Sequence, residues 1–170
     1  FRAFGHDKVA VLDGGLTKWT AEDLPIETET SKPTAQSFTA AREALAMVRS
    51  KTDIQANINQ GAYQVVDARA AGRFAGTDPE PKAGLRSGHI PGSLNVPFGN
   101  LFKADSKTFK SARDIKAAFD KAGVDLTKPM ATTCGSGVTA CTVALGAYLL
   151  GKDDVAIYDG SWVDWGSDRA

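Results

Sequence analysis

The fold is decided around the stretch Cys134-Gly135-Ser136-Gly137-Val138-Thr139-Ala140, in which a cysteine opens a loop rich in glycine. A short, largely apolar run, Pro129 to Thr133, precedes it, and the segment Val138 to Leu150 that follows has the composition of a helix. The sequence therefore predicts a strand, a tight loop and a helix, with a thiol at the mouth of the loop. Backbone N–H groups in such a loop point inward and the positive end of the helix dipole lies behind them, so a thiolate there is stabilised.

Cys134 is the candidate nucleophile of this loop. The alternative is a buried structural cysteine, which is the usual environment of this residue type. Gly135 and Gly137 favour the functional interpretation, because glycine allows positive φ and a close approach of the backbone to a ligand atom. We expect the pKa of the thiol to lie below its free value. The hydroxyl of Ser136 is predicted to donate to a sulfur or an oxyanion, and that of Thr139 either does the same or caps the helix.

Composition excludes several classes of protein. The chain has 170 residues, 20 basic and 20 acidic side chains and 42% hydrophobic residues, which suits one ordinary domain with some length left over. Balanced charge gives no reason to expect binding to nucleic acid or to an anionic membrane. No apolar run approaches the ~20 residues of a membrane helix. Only Cys134 and Cys141 are present, about two helical turns apart, so we expect neither a disulfide nor a metal site, and we interpret Cys141 as apolar core.

The chain contains an internal repeat. Residues 7–15 lead to Trp19 and residues 153–161 lead to Trp165, and each copy has an apolar strand pattern, an Asp-Gly pair and a Trp six positions after the Asp. The alternative is a coincidence between two short strand-turn segments. We interpret each copy as the last strand and closing helix of a domain. The predicted organisation is the tail of an upstream domain at 1–25, a linker at 26–35 and a complete domain at 36–170.

Strand and helix patterns alternate along the complete domain. The predicted elements are a helix at 40–49 with Thr39 as N-cap, strands at 63–66, 94–96, 129–133 and 155–158, and helices at 111–122 and 138–150, the first ended by Gly123 and the second by Gly151. Such alternation is typical of an α/β fold with a mainly parallel sheet and helices on both faces. Ligands bind at the carboxyl ends of the strands in sheets of this kind, and Cys134 occupies such a position.

A second informative stretch, residues 67–82, follows the strand at 63–66 and should reach the same edge of the sheet. It carries three cations. We interpret Arg69 as a structural residue that pairs with a carboxylate. Arg73 offers a planar fork to a carboxylate or sulfonate, and Lys82 offers a second point charge. His89, in a later turn, is interpreted as a structural histidine.

Taken together, these motifs resemble the rhodanese family of sulfurtransferases. The resemblance rests on the cysteine loop and on four further elements, Asp-Ala-Arg at 67–69, Gly-Arg-Phe at 72–74, Pro-Glu-Pro at 79–81 and Gly-His-Ile-Pro-Gly at 88–92. It covers nearly the whole chain: residues 1–25 look like the end of the family's non-catalytic first domain and the rest like its catalytic second domain. The Gly135-Ser136 pair is similar to the mercaptopyruvate branch, since the thiosulfate branch typically has Arg-Lys there.

The resemblance implies a role for each matching residue. Cys134 would accept the sulfur, and Arg73 would bind the anionic group of the donor. Lys82 falls where mercaptopyruvate enzymes commonly have a second arginine; lysine keeps the charge and loses the bidentate geometry. Ser136 would assist the thiol. The persulfide would be held by the loop residues Gly135, Gly137, Val138 and Thr139.

The activity implied by the resemblance is transfer of sulfane sulfur from 3-mercaptopyruvate, through a Cys134 persulfide, to a thiol such as thioredoxin or a small thiol, or to cyanide. It requires no metal and no organic cofactor. The expected partner is an upstream rhodanese-like domain, and the expected compartment is the cytoplasm, or the mitochondrion in a eukaryote. The alternatives are a thiosulfate sulfurtransferase, a non-catalytic binding module with an incomplete first domain, and a cysteine phosphatase, which would need an arginine where this chain has Ala140.

Overall fold

The computed structural model describes residues 1–40 and 45–167. Within these residues, one sheet contains five strands that all run parallel, in the spatial order β1-β5-β4-β2-β3. The strands are β1 (Val48–Arg49), β2 (Gln64–Asp67), β3 (Leu94–Asn95), β4 (Met130–Thr133) and β5 (Ala156–Tyr158). The α-helices are α1 (Gly15–Ala21), α2 (Lys51–Gln60), α3 (Ala71–Ala75), α4 (Ala112–Lys121), α5 (Val138–Leu149) and α6 (Ser161–Trp165). Short 3-10 helices span Arg2–Phe4, Leu45–Met47 and Phe98–Leu101.

Helices cover both faces of the sheet, as the sequence predicts. Adjacent residues of a strand point to opposite faces, so Val65 and Val66 of β2 enter different cores. Val66 packs in the larger core with side chains of α4 and α5, including Phe119 and Val143. Val65 packs in the smaller core with α2 and α6 side chains, including Trp162. The two cores hold β4 and β2 in the middle of the sheet, and the carboxyl ends of these two strands carry Cys134 and the segment after Asp67.

Most predicted elements are confirmed to within a residue or two at their ends, and the helix predicted at 40–49 is wrong where the structure describes it. Residues 41–44 of that helix lie outside the described residues. The rest forms the 3-10 turn Leu45–Met47 and the edge strand β1, whose Val48 pairs with Ile157. Backbone pairing with β5 overrides a short helical spacing, which is a weak signal over ten residues. Helix α2 begins at Lys51, directly after its N-cap residue Ser50. Ser50 and Asp53 form a capping box at this end of the helix.

The first copy of the internal repeat forms its helix but not its strand. Helix α1 is present, whereas residues 9–12 pair with no strand in the described part of the chain. A strand needs a neighbouring strand to satisfy its N–H and C=O groups, and no strand among the described residues lies beside this segment. Apolar side chains of residues 1–12 are exposed, among them Phe1, Val11 and Leu12. The segment contacts the rest of the chain where the carboxylate of Asp13 accepts a hydrogen bond from the N–H of Phe109 at 2.9 Å.

None of the helices in the described part of the chain is both long and apolar enough to cross a membrane.

Candidate active site

The cysteine loop lies at the carboxyl end of β4 and ends at the start of α5. Gly137 is the N-cap of α5 and has a φ of 86°, a conformation that glycine adopts readily and other residues rarely do. A Cβ atom at this position would lie 2.9 Å from the carbonyl oxygen of Asp159. Both the backbone conformation and the neighbouring strand end therefore require glycine here, and the turn brings the first N–H groups of α5 around the side chain of Cys134.

The thiol of Cys134 is surrounded by hydrogen-bond donors. Burial raises its pKa, but the hydroxyl of Thr139 and the backbone N–H groups of Ser136, Ala140 and Thr139 donate to the sulfur and together hold the pKa below the ordinary value of a thiol. Donors of this kind favour the charged form, because they stabilise the thiolate more than the thiol. Cys134 therefore has a raised thiolate fraction near neutral pH, and thiolate is the nucleophilic form of cysteine.

The outer side of the loop is held by the start of α6. The N–H of Trp162 donates to the carbonyl of Cys134 and that of Val163 donates to the carbonyl of Gly135, each at 2.9 Å. The hydroxyl of Ser161 accepts the N–H of Cys134 at 3.1 Å and donates to the carbonyl of Tyr158 at 2.8 Å. Because each peptide is planar and trans, fixing the carbonyl of Gly135 on one side directs the N–H of the next residue to the other side, toward the sulfur.

Both cysteines differ from expectation in exposure. Cys134, predicted at the mouth of the loop, is only 2% exposed and packs within the larger core. The loop encloses the sulfur closely in order to bring several donors within hydrogen-bond distance. Cys141, interpreted from sequence as core, is exposed, so that interpretation is wrong. Burial, with the nearby charges of Cys134 and Asp159, nevertheless raises the pKa of the Cys141 thiol.

Arg73 lies beside the loop, on the short helix α3. A Cβ atom on Gly135 would be 3.1 Å from Nη2 of Arg73, so the guanidinium rests directly on that glycine. Its Nη2 donates to Oε2 of Glu80 at 2.6 Å, and its side chain is 24% exposed. The structure thus brings together Cys134 and Arg73, which the sequence places on different segments, and it leaves one cation partly open to solvent beside the loop.

Arg69 binds the same carboxylate, Glu80, from the buried side. The predicted pairing of Arg69 with a carboxylate is confirmed. Its side chain is fully buried, donates through Nη2 to Asp67 at 2.7 Å and through Nη1 to Glu80 at 2.8 Å, and stacks on the ring of Trp162 at 4.1 Å. Two arginines and two carboxylates therefore alternate from the sheet to the loop. The alternation compensates each charge, which a buried charge requires.

The remaining candidates lie further from the thiol or contact it differently than expected. The hydroxyl that reaches the sulfur is that of Thr139, whereas Ser136 contributes its backbone N–H and its side chain is exposed. The helix α5 has no side-chain cap, so Thr139 does not act as one. Lys82 is exposed and forms no ion pair with the described residues. The ring of His89 stacks on Phe74 at 4.0 Å, which agrees with a structural histidine.

Two site residues were missed by reasoning from sequence. Ser161 has no local signal, because its contacts reach back 27 residues to Cys134, and its φ of 49° is visible only in the structure. Glu80 did have a signal, since it stands between two prolines in a stretch with three cations. Counting charges could have marked it as a partner of an arginine, but not as the partner of two.

Replacing Thr139 by valine tests the origin of the lowered pKa. We expect Thr139→Val to raise the pKa of Cys134, because it removes a donor to the thiolate. Alkylation by iodoacetamide should become about tenfold slower at a pH below the midpoint, and the midpoint should move to higher pH. The measurement is the pH dependence of alkylation in a Cys141→Ser background. Thr142→Val on the same helix is the control, and equal profiles for the two variants would contradict the assignment.

Comparison with known proteins agrees with this geometry. Residues 50–168 match the family model described as a rhodanese-like domain. The chain is 51% identical to the 3-mercaptopyruvate sulfurtransferase of Homo sapiens over 165 residues, which is 97% of this chain and 55% of the relative. It is 48% identical to the thiosulfate sulfurtransferase of Bos taurus over 166 residues, with the same two shares. The chain thus spans about half the length of the curated relatives it matches.

A solved structure supports the same relationship. The crystal structure of the 3-mercaptopyruvate sulfotransferase SseA of Escherichia coli superimposes with a TM-score of 0.81 at 38% identity, covering 95% of this chain and 59% of that protein. The parallel sheet, the cysteine loop at the end of its central strand and the family match over most of the chain lead to one conclusion. The chain belongs to the rhodanese-like domain family.

Proposed function

We propose that this chain is the catalytic domain of a sulfurtransferase that moves a sulfur atom from 3-mercaptopyruvate to a thiol or cyanide, through a persulfide on Cys134 whose outer atom is the sulfane sulfur. The observation that carries the proposal is the thiol of Cys134, whose pKa is lowered by the donors of its own loop. A structural cysteine needs no such donors, whereas a sulfur-accepting thiolate does. The names of the relatives from Homo sapiens and Bos taurus support the same reaction class.

The donor is proposed to be a small anion bound by Arg73. Its guanidinium rests on Gly135 and is partly open to solvent, so a carboxylate held there would bring an attached sulfur toward Cys134. A planar fork suits a carboxylate. The Gly135-Ser136 pair, which resembles the mercaptopyruvate branch of the family, supports 3-mercaptopyruvate over thiosulfate as the donor. Gly135 also leaves room for the guanidinium of Arg73, whose Nη2 would be 3.1 Å from a Cβ atom there.

The reaction is proposed to proceed in two steps. The Cys134 thiolate attacks the sulfur of the donor, a sulfur–sulfur bond forms, the carbon–sulfur bond breaks, and pyruvate leaves as an enolate that takes up a proton. The N–H groups of Ser136, Thr139 and Ala140 then stabilise the negative charge on the persulfide, as they stabilise the thiolate. An acceptor thiol, such as that of thioredoxin or a small thiol, removes the outer sulfur in the second step and restores the thiolate.

Three further assignments belong to the proposal. The exposed hydroxyl of Ser136 assists proton movement at the sulfur, and Lys82 is a second cation that attracts the donor from solvent. An upstream rhodanese-like domain covers the exposed apolar side chains of residues 1–25, which include Phe1, Val11 and Leu12. The two free thiols suit a reducing compartment such as the cytoplasm or the mitochondrial matrix.

Intact mass before and after addition of 3-mercaptopyruvate tests the proposal. We expect the chain to gain the mass of one sulfur atom, and the gain to disappear in the presence of cyanide or excess thiol. Cys134→Ser should abolish the gain, whereas the matched control Cys141→Ser should retain it. A chain that never gains sulfur would be a binding module. A gain that is faster from thiosulfate than from 3-mercaptopyruvate would favour the second candidate, a thiosulfate sulfurtransferase.

A further inference from the structure

We propose that Glu80 is a positioning residue that aims Arg73 at the thiol of Cys134, and this inference rests on the proposed function. Glu80 lies in the Pro-Glu-Pro segment and its side chain is only 2% exposed. It has no contact with the sulfur. Its two oxygens instead bind two different arginines, so it acts on the site through them.

The contacts of Glu80 fix both the place and the orientation of Arg73. Oε2 accepts from Nη2 of Arg73 at 2.6 Å and Oε1 accepts from its Nε at 3.3 Å, so one edge of the guanidinium is occupied by the carboxylate. The Nη1–Nη2 edge faces Gly135, with the two nitrogens 3.9 and 3.1 Å from the position of a Cβ atom there. Nη1 donates to no described residue and so remains for the carboxylate of a donor, whereas Nη2 lies between Glu80 and Gly135.

Glu80 is itself held rigidly. Its Oε1 also accepts from Nη1 of Arg69 at 2.8 Å. Arg69 in turn is fixed by Asp67 at the end of β2 and by stacking on Trp162, whose N–H binds the carbonyl of Cys134. The carboxylate that holds Arg73 and the loop that holds the sulfur are therefore anchored to the same buried group. This shared anchor sets the distance between the bound anion and the sulfur, a distance to which group transfer is sensitive.

Glu80→Asp is the decisive variant, because it keeps the negative charge and withdraws the carboxylate by one methylene group. The shorter side chain cannot reach both arginines, and Arg73, the partly exposed one, is expected to lose its orientation. The readout is the rate at which iodoacetate alkylates Cys134, divided by the rate for iodoacetamide. Iodoacetate carries a carboxylate, and iodoacetamide is its neutral counterpart. All variants are made in the full chain with Cys141→Ser.

We expect Glu80→Asp to lower the ratio about fivefold to tenfold, with the iodoacetamide rate within about twofold of its original value. Arg73→Ala should lower the ratio at least as much. Glu80→Asp added to Arg73→Ala should change nothing further, because Glu80 acts through Arg73. An unchanged ratio in Glu80→Asp, an equal fall of both rates, or a further fall in the Arg73→Ala background would overturn the proposal.

Arg73→Lys provides a second test of the same geometry if Glu80→Asp does not fold. Lysine keeps the charge, but the ion pair with Glu80 draws its single ammonium group toward that carboxylate, and lysine lacks the separate Nη1 group that arginine offers to the anion. The ratio in Arg73→Lys should therefore be close to that in Arg73→Ala, and a ratio close to that of the original chain would overturn the proposal. The alkylation ratio does not depend on sulfur transfer. If Cys134 gains no sulfur from any donor, the proposed function is wrong, but the alkylation ratio still tests whether Glu80 orients Arg73.

Discussion

Replacing Gly137 by alanine is expected to slow persulfide formation on Cys134 about 100-fold and to destabilise the fold by about 3 kcal/mol. The φ of 86° is unfavourable for alanine, and its Cβ would lie 2.9 Å from the carbonyl oxygen of Asp159. The start of α5 must therefore shift. Since the N–H groups of Thr139 and Ala140 and the hydroxyl of Thr139 all donate to the sulfur, a shift of α5 weakens several donors at once.

The chain offers a matched control at the other end of the same helix. Gly151 has a φ of 88°, and no described atom lies within 4 Å of the place that a Cβ atom would take, so Gly151→Ala has the backbone strain without the close contact. We expect it to destabilise the fold by about 1 kcal/mol and to leave the rate within about twofold. The measurements are chemical denaturation and the rate of mass gain with donor. Equal rates in the two variants would show that the position of α5 does not control the thiol.

Arg69→Met is expected to have the largest effect on stability, about 3–5 kcal/mol. The substitution retains the length of the side chain but removes the charge that pairs with Asp67 and Glu80, whose side chains are only 1% and 2% exposed. Asp67 would then lack its ion-pair partner, and Glu80 would keep only Arg73. Since a domain of this kind is stable by about 5–15 kcal/mol in total, much of the chain should unfold at moderate urea concentration.

Lys116→Met is the control for Arg69→Met, because Lys116 also forms an ion pair but an exposed one. The side chains of Lys116 and Asp120 are 59% and 53% exposed and lie one turn apart on α4. Water screens such a pair, so we expect a loss of at most about 0.5 kcal/mol. The two urea midpoints, followed by circular dichroism, give the comparison. Similar midpoints for both variants would mean that the buried network does not stabilise the fold.

The parts of the site that follow from sequence are those encoded within a few residues. The strand, glycine loop and helix around Cys134 are local, because residue periodicity and glycine positions report backbone conformation directly. The lowered pKa of the thiol was expected for the same reason. The first repeat copy shows the limit of this approach: residues 9–12 have a strand pattern, but no strand of the described chain lies beside them.

By itself, the sequence determined the α/β class, the parallel sheet and the location of the thiol at a strand end, since each depends on short-range pattern. Only the tertiary structure decided that Glu80 binds two arginines, that Thr139 supplies the hydroxyl at the sulfur, and that Ser161 holds the loop from behind. The contacts of Glu80 and Ser161 join different segments of the chain around one buried position. Their geometry depends on how the sheet and helices pack, and no local pattern of residues carries that information.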